Sequence, residues 1–277
     1  MEKFSVSMCV YHKDNPQWFA QAVKSVLEQT LPPDELIIVV DGPVPDSLEE
    51  VLATFSPCAH IIRLRENRGH GEARRTGLLH CTHELVAIMD ADDICQPNRF
   101  ALQMEAFAKD PTLSVVGGQI GEFIHSPEEM VGYRQVPLSP EEIRKDLKTR
   151  CPMNQMTVMF RKSHVQQVGG YLDWYCNEDY YLWVRMQEAN MRFANVPQVL
   201  VKVRVGEQMY RRRGGWKYFR SEQKLQAYMR QKGLIGWGTY SINVAKRLVV
   251  QVLLPNRLRS WVFQKFARKQ TSTGQDL

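Results

Sequence analysis

The strongest constraint on this chain is a unit repeated through its first 118 residues: a short apolar run, a helical pattern, then another apolar run. Phe4–Tyr11 (FSVSMCVY), Glu35–Val40 (ELIIVV), His60–Leu64, Leu85–Met89 (LVAIM) and Leu113–Gly118 have the length and apolar content of buried strands. Behind Asn15-Pro16, a helix cap followed by a first-turn proline, Trp18, Phe19, Ala22, Val23, Val26 and Leu27 recur at helical spacing. Ser47–Phe55, Glu72–His80 and Arg99–Lys109 read as further helices. The alternation predicts an α/β fold, a mostly parallel central sheet with helices on both faces. Ligands of such sheets bind beyond the carboxyl ends of the strands. Asp41 ends the second run and Asp90-Ala91-Asp92-Asp93 ends the fourth, so both are candidates for the site.

Three carboxylates in four residues repel one another unless something positive joins them. A hard divalent cation, Mn²⁺ or Mg²⁺, relieves that repulsion and bridges to phosphate oxygens. Acids in the first turn of a helix ahead of Pro97 are the plainer reading, and Asp93 fits it in part. Asp41 precedes Gly42, as ordinary turn aspartates do, yet a carboxylate there also suits a nucleobase or a ribose. Asn67–Arg75 (NRGHGEARR) turns into a helix and lacks any dinucleotide or P-loop glycine pattern. Its Arg68 and Arg74 either meet phosphates or lie on a solvated face.

The second half is more irregular. A helix is expected at Pro140–Thr149, a strand-like run at Gln155–Arg161, a turn at Gly169-Gly170-Tyr171, a helix at Glu178–Gln187 and a late strand at Pro197–Val205. Glu178-Asp179 opens a helix rich in apolar and aromatic residues. A carboxylate beside such surface holds its proton more tightly, which suits a general base; first-turn acids favoured by the helix dipole are the alternative. Helices are expected at Tyr218–Lys232 and Ser241–Leu254, and a basic amphipathic segment at Arg257–Lys269.

At 277 residues the chain can bury one large α/β domain with an appendage. We expect a main domain over 1–205, with nucleotide binding in 1–118, followed by a basic helical region at 206–277. None of the six cysteines forms a Cys-x-x-Cys pair, so they read as free thiols. No run approaches the roughly 18–20 apolar residues of a membrane span, and the N-terminus runs straight into a strand, so a cytoplasmic protein is expected. The net charge of +6 is uneven. From Lys202 onward 17 Lys and Arg face three acids, a net of +14, which leaves −8 over the first 201 residues. The basic end suits an anionic surface. Trp216, Tyr218 and Phe219 among arginines would also suit a nucleic acid, but an acidic α/β domain argues against that partner. A phosphohydrolase with an Asp nucleophile is a further class, yet its motif normally follows the first strand and here it follows the fourth.

Taken in order, SVSMCVYHKDNP, IIVVDG, NRGHGEARRTGL, MDADDICQPNRFALQ, GGY and EDYYLWVRM resemble the family 2 glycosyltransferases of the GT-A fold, over residues 4–205. MNQMTVMFRK and RRRGG extend the resemblance to the enzymes of O-antigen, capsule and amylovoran-type polysaccharide assembly. Gln155 and Ile88 depart from it, where many relatives carry His and Arg. The resemblance implies an inverting transfer of a hexose from UDP-Glc or UDP-Gal to a glycan on a polyprenyl diphosphate, at the cytoplasmic face of the membrane. It implies that 1–205 is catalytic and that 119–205 binds an acceptor. It implies that the first strand, with Val10 and Tyr11, and Asp41 hold the uridine. Asp90 and Asp92 hold diphosphate and metal, with Asp92 the metal ligand, and Asp179 is the base. Arg68, Arg74, Ala91, Glu178 and Trp183 complete the expected substrate contacts. Trp261, Val262, Phe263 and Phe266 of the basic segment are expected to enter the membrane interface.

Overall fold

The computed structural model describes residues 2–206 and 214–254. Nine strands among them form one sheet: β1 (Phe4–Val10), β2 (Glu35–Val40), β3 (His60–Arg63), β4 (Leu85–Met89), β5 (Ile94–Cys95), β6 (Leu113–Phe123), β7 (Met130–Arg134), β8 (Met159–Arg161) and β9 (Arg192–Arg204). The lateral order is β3-β2-β1-β4-β8-β6-β9-β5, with β7 paired to β6. The first four strands run parallel, Val10 opposite Val40 and Met8 opposite Met89. That register brings the ends of β1, β2 and β4 to one edge of the sheet.

The fifth strand does not join β4 as simple alternation suggests. The short β8 lies between β4 and β6, antiparallel to both. Only Met159–Arg161 of the expected run is strand; Gln155–Thr157 forms a 3₁₀ turn. β6 and β9 are longer than expected, and they pair in parallel along most of their lengths.

Seven helices lie along this part of the chain: α1 (Pro16–Leu27), α2 (Asp46–Phe55), α3 (His70–His80), α4 (Arg99–Lys109), α5 (Pro140–Leu147), α6 (Lys162–Gln167) and α7 (Glu178–Glu188). The alternation within β1 shows how they divide. Phe4, Val6, Met8 and Val10 point into one core with Phe19, Leu48 and Phe100 of α1, α2 and α4. Its other face carries the small Ser5 and Ser7, both buried, and there α3 lies close enough for a Cβ on Gly77 to overlap Ser7 Oγ. The second core, on that side, holds Ala73, Tyr171, Trp183 and Phe193. Helices thus cover both faces, as the apolar strands require.

Two further helices, α8 (Trp216–Gln231) and α9 (Trp237–Leu248), continue into a π-helical turn at Val249–Leu253. Leu225 and Met229 of α8 belong to the second core, and Asn243 of α9 donates to Gln226 Oε1 and Lys148 O, both at 2.8 Å. Leu225, Met229 and Ile235 thereby join residues 216–248 to the core of the preceding part. Arg211–Arg213 and the basic segment with Trp261, Val262, Phe263 and Phe266 lie outside the described residues.

Candidate active site

A cavity of about 370 Å³ opens at the ends of β1, β2 and β4, lined by residues that include Val10, Tyr11, Asp41, His70, Asp90 and Asp92. Its floor is organised by Asp41. The Asp41 amide donates to Val10 O at 2.8 Å, extending the β1–β2 pairing by one bond. Its nearly buried carboxylate accepts from the amides of Arg68 (2.7 Å) and Gly69 (3.0 Å), and Asn67 Nδ2 donates to its carbonyl. Gly42 makes this possible: its φ is +84°, and a Cβ there would stand 2.5 Å from Asn67 N. Asp41 thus fixes the loop that leads into α3. Arg68 takes part through its main chain; its guanidinium is exposed beside Glu66 at 3.4 Å.

Arg74 is buried, one turn into α3. Its Nη2 donates to Asp90 Oδ1 at 3.0 Å and its Nη1 to Glu178 Oε1 at 3.4 Å, and the guanidinium stands 6.0 Å from the centre of the Tyr171 ring. Gln155 Nε2 in turn donates to the Tyr171 hydroxyl at 2.8 Å. One cation therefore joins the acids after β4 to the acids that open α7. Burial opposes the charge of Arg74, yet Asp90, Tyr171 and Glu178 hold its pKa above the ordinary value. Burial, and then the adjacent Asp179, push the Glu178 carboxyl above its ordinary range against the pull of Arg74. His70 Nδ1 lies 3.8 Å from the same carboxylate.

The cluster after β4 divides in two. Asp90 and Asp92 are half-buried and line the cavity, with Ala91 buried between them. Asp93 turns away. The expected helix-cap role does not hold, because α4 begins only at Arg99 and the strand β5 intervenes. Asp93 instead accepts the Arg204 amide at 2.9 Å, and Arg204 Nε donates to Asp92 O at 3.3 Å. Burial, then the charges of Asp92 and Asp90, raise the Asp93 carboxyl well above its usual range. Among the described residues no three His, Cys, Asp or Glu side chains gather as a metal cage. A Mn²⁺ or Mg²⁺ ion held by one or two carboxylates, with substrate phosphates supplying the rest, needs no such cage, and Asp90 and Asp92 at the cavity wall fit that mode.

Asp179 sits in the first turn of α7, where its Oδ1 accepts the Tyr180 amide at 2.7 Å. Helix α8 steadies this end. Asn177 Nδ2 donates to Ser221 Oγ at 3.1 Å, and Trp174 Nε1 donates to Ser221 O at 3.2 Å. Trp183 is corrected from the expected substrate contacts. It is fully buried, its ring packed against Phe160 and Phe193. Position 183 is one turn farther along α7 than Asp179, where the helix has entered the second core. Sequence reasoning missed Tyr171, His70 and Arg204 as neighbours of the acids. Only the Gly-Gly-Tyr turn offered a signal for one of them.

The model of the glycosyl transferase family 2 matches residues 5–169, which spans β1, Asp41, Arg74 and the whole acidic cluster. The chain belongs to glycosyl transferase family 2. Family membership leaves the phosphohydrolase and nucleic-acid readings without support. The chain is 35% identical over 269 residues to the UDP-Gal:alpha-D-GlcNAc-diphosphoundecaprenol beta-1,3-galactosyltransferase of Escherichia coli, covering 96% of this chain and 97% of that one. It is 36% identical to the amylovoran biosynthesis glycosyltransferase AmsE of Erwinia amylovora, covering 95% and 98%. The mannosyltransferase PcManGT of Pyrobaculum calidifontis, solved with GDP-Man and Mn²⁺, superposes with a TM-score of 0.64 at 17% identity, covering 93% of this chain and 72% of that one. The fold is the GT-A fold, as the resemblance implied.

Proposed function

We propose that the chain is an inverting, metal-dependent hexosyltransferase that moves galactose or glucose from its UDP-sugar to a sugar carried on a polyprenyl diphosphate, in bacterial surface polysaccharide assembly. The observation that carries this reading is the Arg74 bridge: it couples Asp90, in the wall of the donor-side cavity, to Glu178, the neighbour of Asp179 at the start of α7. The E. coli relative, named for UDP-Gal and a diphosphoundecaprenol-linked acceptor, supports the choice of both substrates.

In this reading Val10, Tyr11 and Asp41 receive the uridine, Asp41 chiefly by fixing the loop around it. Asp90 and Asp92 face the diphosphate, with Asp92 the metal ligand. When bound, Mn²⁺ or Mg²⁺ supplies positive charge for the departing diphosphate. Asp179 takes the proton of the acceptor hydroxyl. The oxygen forms its bond to the anomeric carbon as the bond to the diphosphate breaks, and UDP leaves with the electron pair. One displacement inverts the configuration. Arg74 keeps the two acid groups apart and oriented while charge moves between them. Cys9 also lines the cavity, but burial raises its thiol to about 12, so it is no nucleophile here.

The acceptor places the enzyme at a membrane surface on its cytoplasmic side. Among the described residues no helix is long and apolar enough to cross a membrane. The basic C-terminal region supports peripheral attachment to anionic lipid, each Lys or Arg near such a surface contributing about 1 kcal/mol.

UDP release tests the reading. With Mn²⁺ and a GlcNAc-diphosphate lipid as acceptor, UDP-Gal or UDP-Glc should turn over, and UDP-GlcNAc and dTDP-rhamnose should not. Absence of binding to any nucleotide sugar would overturn it.

A further inference from the structure

A second cavity, of about 330 Å³, lies at the start of α7, where Asn177, Asp179 and Tyr180 line it. Asp179 is in its wall, and neither Asp90 nor Asp92 is. Its remaining walls come from β7, the segment after α5, and helices α8 and α9. Four cations line it, Arg134, Arg150, Lys246 and Arg247, against two acids, Asp179 and Glu222.

Counting Asp146, which pairs with Arg150, four cations face three carboxylates, and one positive charge remains in surplus. Glu222 is taken up by a short contact with Arg247, whose Nη2 also donates to Thr149 O at 2.8 Å. That guanidinium is thereby fixed at the cavity wall. Arg150 is exposed and held from outside by Asp146 at 2.6 Å. Lys246 is exposed and makes no ion pair with a described residue. Arg134 Nη2 donates to Cys151 O at 3.1 Å, which directs it along the same wall. An apolar or neutral ligand has no use for such a set, whereas an anion of two charges does.

We infer that this cavity takes the diphosphate group of the acceptor, with Arg134, Arg150, Lys246 and Arg247 as its counter-charges. The inference rests on the reading of the chain as a transferase acting on a diphosphate-linked sugar. A sugar whose hydroxyl reaches Asp179 carries its own anomeric oxygen, and the diphosphate attached there, at another position of its ring. Asp179 and the four cations line this one cavity, so it offers a place for both the hydroxyl and the diphosphate of such a sugar. The donor diphosphate and the acceptor diphosphate then occupy separate cavities.

The test is calorimetric titration of the full chain with geranyl diphosphate, without metal, in the presence and absence of saturating UDP. Geraniol and inorganic diphosphate serve as competitors. Geranyl diphosphate should bind equally with UDP present, and inorganic diphosphate should compete while geraniol does not. Lys246→Glu and Arg150→Glu, both at exposed positions, should each weaken it about tenfold or more, with UDP–Mn²⁺ affinity unchanged. Displacement of geranyl diphosphate by UDP overturns the inference, because the probe then sits at the donor phosphates. Competition by geraniol, or wild-type affinity in both variants, also overturns it. Failure of the wild-type chain to bind UDP with Mn²⁺ would instead sink the transferase reading, and the acceptor assignment with it.

Discussion

Arg74 and Asp90 form a largely buried ion pair, 3.0 Å between Nη2 and Oδ1, at the point where α3 passes the end of β4. Glu178 completes it from the other side at 3.4 Å. Removing one member of such a pair leaves the others desolvated and unbalanced. Arg74→Ala should lower stability by about 3 kcal/mol and weaken UDP binding by releasing Asp90. Thermal unfolding and UDP titration check this, and an unchanged melting temperature would contradict the bridge.

Trp183 should matter for packing and not for substrate. Trp183→Phe keeps an aromatic ring between Phe160 and Phe193 but leaves a gap, so a loss of about 1–3 kcal/mol is expected. The KM values for donor and acceptor should not move. A changed KM at unchanged stability would return Trp183 to the site.

Gly77→Ala tests how closely α3 lies on β1. In an exposed helix this change gains about 1 kcal/mol. Here the new Cβ overlaps Ser7 Oγ and comes within 3.3 Å of Val39 Cγ2. Overpacking of this kind costs about 1–3 kcal/mol, so net destabilisation is expected in chemical denaturation. A gain in stability would mean that the helix stands farther from the sheet.

Glu35 gives the fold a pH dependence. Burial pushes its carboxyl up, but bonds from the Ser5 hydroxyl and from the Thr82 amide and hydroxyl outweigh this and hold it below its usual value. The native chain therefore binds this proton less tightly than the unfolded chain. The stabilisation is present at neutral pH and disappears as pH falls through the depressed folded-state value. Glu35→Gln should lose about 1 kcal/mol at pH 7 at this half-exposed position, and the difference from wild type should vanish in acid. A constant difference across pH would contradict the assignment.

Much of this arrangement was legible beforehand, and the exceptions share a cause. β1, β2 and β4 could be read because each is apolar and short, and β2 and β4 end directly at Asp41 and Asp90, all local signals. Asp41 and Asp90 followed from them, since strand ends carry the site in parallel sheets. The insertion of β8 between β4 and β6 could not be read, because lateral order is set by contacts between residues far apart in sequence. Arg204 reaches Asp93 across 111 positions for the same reason. Trp183 was misplaced because α7 is apolar on most of its circumference. With buried residues at 180 and from 182 through 187, periodicity alone does not mark which face meets the cavity. Packing of α8 and α9 onto the second core was hidden by the basic charge of that region, which drew attention to an external partner.

The most direct test of the central claim is the turnover of Asp179→Asn, measured with saturating UDP-sugar, Mn²⁺ and lipid-diphosphate acceptor, beside its affinity for UDP. The exchange keeps the size of the side chain and removes the base. Turnover should fall by about 10²–10⁴ while UDP affinity and melting temperature stay at wild-type values. Full turnover in Asp179→Asn would contradict the account.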